Sequence, residues 1–252
     1  MVKAQRSTLV LMYKRLFKAF GPQKWWPAQT QFEVIVGAIL TQNTNWGNVE
    51  KALVNLKSKN CLTVQAFHNI SQRKLASLIK PAGYFNVKAK RLKNFILFLY
   101  KEYGGHLHKM EKEECSILRR KLLSVNGIGP ETADSILLYA FNMPIFVVDA
   151  YTKRILTRHN IVSLDEDYHD IQEKFMRALK CDTQMFNEYH ALIVRLGKDY
   201  CKPKPLCEQC VLNDFHYSLT EKCSNCHRAL PKKNDRKIYK NNITCHLCYE
   251  NE

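Results

Sequence analysis

Two sets of residues in this chain have types and spacings that could do chemistry. The first centres on a carboxylate. Asp149 stands directly ahead of a helical pattern at Ala150 to Thr157 and directly behind the β-prone run Ile145-Phe146-Val147-Val148. An isolated aspartate in that place is an N-cap. A little earlier, however, Leu122, Leu123 and Val125 close one apolar-periodic segment, Gly127-Ile128-Gly129-Pro130 makes a turn, and Thr132, Ala133, Ile136, Leu137 and Ala140 resume a helical period. That is a helix-hairpin-helix. Two glycines around a buried isoleucine bring backbone close to another polymer with its amides outward, and the second helix offers its positive N-terminus to the same place. A phosphate fits there. A carboxylate beside a phosphate grip can steady positive charge in a transition state, or orient and deprotonate water.

The second set is the cysteines. Seven of the ten fall between Cys201 and Cys248, at metal-ligand spacings. Cys223-x2-Cys226-x18-Cys245-x2-Cys248 has the spacing of a four-thiolate zinc ribbon, and a segment this short with so few apolar residues needs a metal to fold. Between its knuckles lie Arg228, Lys232, Lys233, Arg236, Lys237 and Lys240, a basic face able to touch a nucleic-acid backbone. Metal ligation in so long a chain also implies a reducing compartment.

Bulk properties limit what these residues can serve. At 252 residues and 46% apolar composition the chain can bury a sizeable core in one or two domains. The formal net charge of +16, from 39 Lys and Arg against 23 Asp and Glu, favours a polyanionic partner through phosphate neutralisation and counterion release. No apolar run nears the roughly 18 residues of a transmembrane span, and the N-terminus has no signal-peptide pattern. The expectation is an intracellular protein, nucleoid-associated in the cytoplasm if prokaryotic, with no membrane partner, acting as a monomer.

The elements that must position the chemistry are helical. Ser7 to Phe20 puts Leu9, Met12, Tyr13, Leu16, Phe17 and Phe20 on one face and is stopped by Gly21-Pro22. Phe32 to Leu40 is nearly all apolar and ends in Thr41-Gln42-Asn43-Thr44, so a buried helix discharges amide side chains at its end, as at the wall of a cleft. All three tryptophans, Trp25, Trp26 and Trp46, flank that helix. Cys61 to Lys80 holds two short helical patterns. Gly83-Tyr84-Phe85-Asn86-Val87-Lys88-Ala89-Lys90-Arg91 joins a turn glycine, two aromatics and a basic helix start, which suits an element that wedges into a duplex and holds phosphate. Leu92 to Tyr100 continues as a helix with a buried face, broken at Gly104-Gly105. Tyr168 to Leu179 and Gln184 to Gly197 read as two further helices.

The segments LLSVNGIGPETAD and VVDAYTKRI resemble the helix-hairpin-helix and catalytic aspartate of the endonuclease III superfamily of DNA glycosylases, and the resemblance runs from about Trp25 to His216. It implies an all-α fold of two helical subdomains with a DNA-binding cleft between them. The expected division is 22–135 for a helical barrel ending in the hairpin, 1–21 with 136–216 for the subdomain carrying Asp149 and the cysteine loop, and 217–252 for an added zinc ribbon. Gln42-Asn43-Thr44 is similar to the family segment whose glutamine enters the space left by an extruded nucleotide. Trp25, Trp26, Pro27 and Trp46 look like the aromatic pocket of the helix-hairpin-helix 3-methyladenine DNA glycosylase branch. Tyr84 falls where the family carries its intercalating residue, and Asn43, Asn86, Lys88, Gly127, Ile128, Gly129 and Thr132 are the further expected DNA contacts. Cys201-x5-Cys207-x2-Cys210-x5-His216 resembles the family's [4Fe-4S] loop, with the first gap one residue short and histidine in the fourth place, so a cluster, a second zinc or an empty loop all fit.

One departure bears on mechanism. Bifunctional members carry a nucleophilic lysine two residues after the second hairpin glycine, and here that residue is Glu131, which cannot form a Schiff base. The reading is therefore a monofunctional hydrolase acting through Asp149 on double-stranded DNA containing a damaged base. Electron-rich rings hold a cationic, ring-methylated purine, and such a base leaves without a general acid, so alkylated purines, 3-methyladenine foremost, are the expected substrates. Two alternatives stand beside it. One is a glycosylase for mismatched or oxidised pyrimidines, with a lyase lysine moved to Lys153 or Lys198. The other is a non-catalytic DNA-binding module in which Asp149 merely caps a helix.

Overall fold

The computed structural model describes residues 2–23, 28–215, 236–239 and 242–245. The described chain is helical apart from one two-stranded hairpin near its end. It divides into two compact units, Met1–Trp25 with Phe146–Glu252, and Trp26–Ile145.

The second unit contains α2 (Gln31–Leu40), α3 (Trp46–Ser58), α4 (Val64–Asn69), α5 (Gln72–Leu78), α6 (Phe85–Tyr103), α7 (Leu107–Met110), α8 (Cys115–Leu123) and α9 (Pro130–Ser135). Thr30 caps α2 by accepting a hydrogen bond from the Glu33 amide at 3.1 Å, and every residue from Phe32 to Leu40 is buried. The one charge in that run, Glu33, is matched by Lys57 at 2.6 Å, which offsets the cost of burying it. Past α9 the helix widens into a π turn over Ile136–Ala140, all of it buried, which packs on α2. That packing keeps the segment in this unit. The crossing to the other unit comes at Phe146 rather than at residue 136 as the sequence pattern suggested.

The first unit gathers α1 (Val2–Phe20), α10 (Ala150–Arg158), α11 (Tyr168–Ala178) and α12 (Thr183–Asp199). Leu9, Met12 and Leu16 form the buried stripe of α1, while Phe17, expected on that face, is 39% exposed. An aromatic cluster fills the core: Phe146 stacks on Phe175 at 3.8 Å and meets Phe186 and Tyr189 edge-on. The Tyr189 hydroxyl donates to the Leu9 carbonyl at 2.8 Å, fastening α12 to α1. In α12, Gly197 accommodates the Tyr151 ring of α10, since a Cβ there would lie 2.3 Å from Tyr151 Cδ1.

The β-prone run from Ile145 to Val148 is buried but is not a strand. No neighbouring strand pairs with it among the described residues, and side chains of α11 serve its backbone instead. Gln172 Nε2 donates to the Phe146 carbonyl at 2.6 Å, and the Val148 amide reaches the Tyr168 hydroxyl at 3.4 Å. The strands β1 (Arg236–Tyr239) and β2 (Asn242–Cys245) pair antiparallel, and β2 ends on the first cysteine of the second expected knuckle. Cys223, Cys226 and Cys248 lie outside the described residues. No described helix is long and apolar enough to cross a membrane.

Candidate active site and DNA-contacting turns

Asp149 is the N-cap of α10. Its backbone is extended, and Oδ1 accepts two hydrogen bonds from Thr152, one from the amide at 2.7 Å and one from the hydroxyl at 2.8 Å. An Asp-x-x-Thr spacing produces this pair, because the third residue of a first helical turn faces back toward the cap. The second oxygen, Oδ2, lies 3.6 Å from His190 Nε2, on α12, with the two side chains 13% and 6% exposed. The His190 ring meets Phe146 edge-on. Burial pushes the Asp149 carboxyl up, but the facing imidazole and the two Thr152 donors outweigh it and hold the carboxyl below its ordinary value. The group is thus a fixed anion, one oxygen spent on the helix and the other directed at His190.

Because its native value is depressed, Asp149 contributes stability above the unfolded carboxylate pKa of about 3.9, and that contribution is lost as pH falls through the lower native value. Activity that needs the anion should accordingly hold level from neutral pH down to about 5, the upper edge of the usual carboxylate titration. A pH–rate profile with an Asp149-dependent acid limb centred above that point would contradict the assignment.

The other end of α10 is anchored to the cysteine loop. Arg154 donates to the carbonyls of Cys201 at 2.8 Å and Gly197 at 3.0 Å. Arg158, itself buried, donates to the Lys202 and Pro203 carbonyls at 2.6 and 2.9 Å, and its Nη1 lies 3.2 Å from Cys201 Sγ. Cys201, Cys207 and Cys210 line one small hollow with His159 and Leu212. A set of sulfur donors with a guanidinium turned toward one of them suits thiolates and a thiophilic metal or cluster. Among the described residues no three His, Cys, Asp or Glu side chains already stand in metal-holding geometry. His216, the expected fourth ligand, lies outside the described residues.

In the other unit, the hairpin is formed as the sequence predicts. Ile128 is buried, Gly127 has φ +96°, and Gly129 is the N-cap of α9. Among the described residues the Gly127 and Gly129 amides have no acceptor, which leaves two donors for an incoming oxygen. The turn is braced from both sides. Across it, Arg119 of α8 grips the fully buried Asp134 of α9 in a two-pronged ion pair, 2.6 and 3.0 Å. From α6, Asn94 donates to the Asn126 carbonyl at 2.9 Å.

Several expected DNA contacts take a different part. Lys88 is 1% exposed, and its ammonium donates to the carbonyls of Leu40 at 2.8 Å and Ala82 at 2.7 Å. It is an internal strut that ties the end of α2 to the turn before α6, not a phosphate ligand. Burial first, then the charge of Arg91, lowers its pKa to about 8, so it remains largely protonated at neutral pH, as two carbonyl partners require. Thr132 is buried, and its hydroxyl accepts from Gln42. Gln42 is fully engaged: Nε2 donates to the Gly127 carbonyl at 3.0 Å and to Thr132 Oγ1 at 2.9 Å, while Oε1 accepts from Arg91. The side chain, half-buried, is bound to the hairpin at the end of α2. Ile128 can offer DNA only backbone, and its own amide is used on the Val125 carbonyl. Tyr84 and Asn86 are exposed, as is Asn43. Tyr84 has φ 45° and 71% exposure, an unfavourable backbone for a bulky residue and an unfavourable place for an aromatic ring. Trp46 opens α3 and donates from its indole to Glu50 at 2.8 Å. Trp25, Trp26 and Pro27 lie outside the described residues.

Thr152 is the residue beside Asp149 that sequence reasoning passed over; Arg91 was read there as part of a phosphate-holding helix start, and His190 as structural. Thr152 had a local signal, the capping spacing. The contacts of Arg91 with Gln42 and of His190 with Asp149, each within its own unit, are tertiary and leave no local signal.

A helix-hairpin-helix followed by an aspartate capping the next helix, among described residues that are helical apart from one short strand pair, is the arrangement of a base-excision type of DNA-repair protein. The sequence profile described as HhH-GPD superfamily base excision DNA repair protein matches residues 36–181. A protein of Methanocaldococcus jannaschii, assigned by name as a DNA repair glycosylase, is 48% identical over 206 residues, 81% of this chain and 93% of that one. Endonuclease III of Thermotoga maritima is 29% identical, covering 73% of this chain and 81% of its own. Among solved structures, 3-methyladenine DNA glycosylase of H. pylori bound to 1,N6-ethenoadenine aligns with a TM-score of 0.65 at 28% identity, over 77% of this chain and 97% of that one. A non-covalent endonuclease III–DNA complex aligns with a TM-score of 0.71 at 20% identity, over 82% and 93%, a likeness of fold. The chain belongs to the HhH-GPD superfamily and is a base excision repair DNA glycosylase of that family.

Proposed function

We propose that the chain is a monofunctional DNA glycosylase that hydrolyses the N-glycosidic bond of alkylated purines, 3-methyladenine foremost, in double-stranded DNA. The observation that carries this reading is the state of Asp149: an anion fixed by Thr152, with one oxygen not committed to the helix. As the bond between C1′ and the base nitrogen breaks, its electron pair leaves with the base and positive charge builds on the sugar. The Asp149 carboxylate stabilises that charge, water adds to C1′, and the carboxylate accepts the proton that the water gives up. A purine methylated on N3 is cationic and becomes neutral as it departs, so no general acid is required.

Hydrolysis rather than lyase chemistry is supported by the residues where an amine would act. The hairpin position of the bifunctional nucleophile is the exposed carboxylate Glu131. Lys153 is directed away to the Glu166 carbonyl at 2.8 Å. The alkylated-purine assignment is supported by Trp46 together with the two tryptophans before α2, and by similarity to the H. pylori enzyme named for 3-methyladenine. In this reading the hairpin amides take a backbone phosphate, Tyr84 fills the stack, and Gln42 and Asn43 face the opened duplex. The hollow at Cys201, Cys207 and Cys210 would hold a [4Fe-4S] cluster or zinc, and the two C-terminal cysteine pairs a zinc ion. Each such group cross-links its loop and supplies no reaction step.

Incubation with methylated duplex DNA should release free 3-methyladenine. Borohydride added to the protein with abasic DNA should trap no covalent adduct. A trapped adduct would refute the monofunctional claim, and release of oxidised pyrimidines without methylated purines would transfer the assignment to the alternative substrate class.

A further inference from the structure

Arg91 stands on α6 beside both the hairpin and the amide-bearing turn after α2. Its aliphatic stem lies against Gly127 so closely that a Cβ on that residue would be 2.3 Å from Arg91 Cγ. Its Nη1 donates to Gln42 Oε1. The Gln42 amide then has one orientation left, with both hydrogens aimed at the hairpin: the Gly127 carbonyl at 3.0 Å and the Thr132 hydroxyl at 2.9 Å. An amide that rotated by half a turn would set its NH2 against the guanidinium and its oxygen against the Gly127 carbonyl, two like-polarity contacts in place of two hydrogen bonds. Among the described residues Arg91 has no carboxylate partner, so its charge is not spent on holding the fold by an ion pair.

We infer that Arg91 is a positioning residue that locks the Gln42 amide to the hairpin, so that the turn which faces the opened duplex and the turn which takes its phosphate move as one piece. This rests on the glycosylase reading above. Its content is that the guanidinium acts through Gln42 and not as another phosphate contact. A side chain set in advance pays little ordering cost when the duplex is opened, and so favours DNA with a missing or extruded base over intact DNA. A Gln42 held by the two hairpin bonds alone, without the guanidinium, forfeits part of that preference without changing attraction for the backbone.

The test is a double-mutant cycle on the full chain, reading affinity for two duplexes, one intact and one with a tetrahydrofuran abasic site. Arg91→Met keeps the stem against Gly127 and removes the fork. The expected result is about a tenfold loss of affinity for the abasic duplex, no change for the intact one, and an unchanged salt slope. Gln42→Ala should lose the same preference, and adding Arg91→Met to it should cost less than twofold more. If Arg91→Met weakens both duplexes equally and lowers the salt slope by about one, the residue is a phosphate contact and the inference fails. Multiplicative losses in the double variant overturn it as well. A wild type that does not distinguish the two duplexes overturns the glycosylase reading and this inference with it. A wild type that distinguishes them beside a fully discriminating Arg91→Met overturns the lock alone. If Arg91→Met melts early, Arg91→Leu gives the same reading, since it keeps an aliphatic stem against Gly127 and has no donor for Gln42 Oε1.

Discussion

Asp149→Asn should lower the rate of base release by about a thousandfold, within the range lost when a charge-stabilising or proton-accepting group is removed from a transition state. The melting temperature should scarcely change. This combination is informative because asparagine is as good an N-cap as aspartate. The two Thr152 donors, at 2.7 and 2.8 Å, can still find an oxygen on the amide. What disappears is the negative charge and the ability to take a proton from water. Binding to an abasic duplex should survive, since the hairpin amides and the exposed turn residues are untouched. Asp149→Ala is the contrasting variant, expected to lose the cap as well, at about 1 kcal/mol. An Asp149→Asn protein that releases methylated base at the wild-type rate would reduce Asp149 to a helix cap, whereas a wild type and variant that are equally inert while both still bind DNA would leave the binding-module reading in place.

The largest effect on stability is expected from the brace across the hairpin. Asp134 is fully buried and Arg119 meets both of its oxygens, at 2.6 and 3.0 Å. Removing one partner of such a pair leaves an uncompensated charge in a place without water, which costs about 3 to 5 kcal/mol. Arg119→Ala should therefore unfold at a denaturant midpoint far below the wild type. A double replacement by apolar residues of similar volume, Arg119→Met with Asp134→Leu, should recover most of the loss, because no charge is then stranded. The two are distinguished by urea unfolding. A single replacement as stable as the wild type would mean that the pair contributes nothing to holding α8 against α9. Since the hairpin turn lies between those helices, the single variant should also bind DNA less tightly at temperatures well below its melting point.

How much of this was readable in advance depends on how local each feature is. The hairpin, the cap at Asp149, the amphipathic stripe of α1 and the buried α2 are written in residues a few places apart, and each was visible as a period, a turn glycine or a capping spacing. Lys88 was misread for a physical reason: a lysine in a basic run ahead of a helix looks solvated, and nothing nearby in sequence reveals that two carbonyls, of Leu40 and Ala82, wait for it inside. The partners that hold Gln42, namely Arg91, Gly127 and Thr132, were hidden in the same way, because they are distant along the chain. The run at Ile145 to Val148 has strand composition, yet Gln172 and Tyr168 meet the backbone needs that a paired strand would have met. His190 was seen as a structural residue, and only folding brings it opposite Asp149.

The grip of Arg154 and Arg158 on the segment from Gly197 to Pro203 sets a limit on how the chain can be shortened. A version cut after α12 would keep every residue proposed to touch the sugar or the damaged base. It would also take away most of the acceptors of two guanidiniums, one buried and one half-buried in the intact chain, together with the segment that packs on them. Anyone building a minimal catalytic fragment from this scaffold must carry the cysteine-bearing segment along, even for uses in which its metal chemistry is irrelevant.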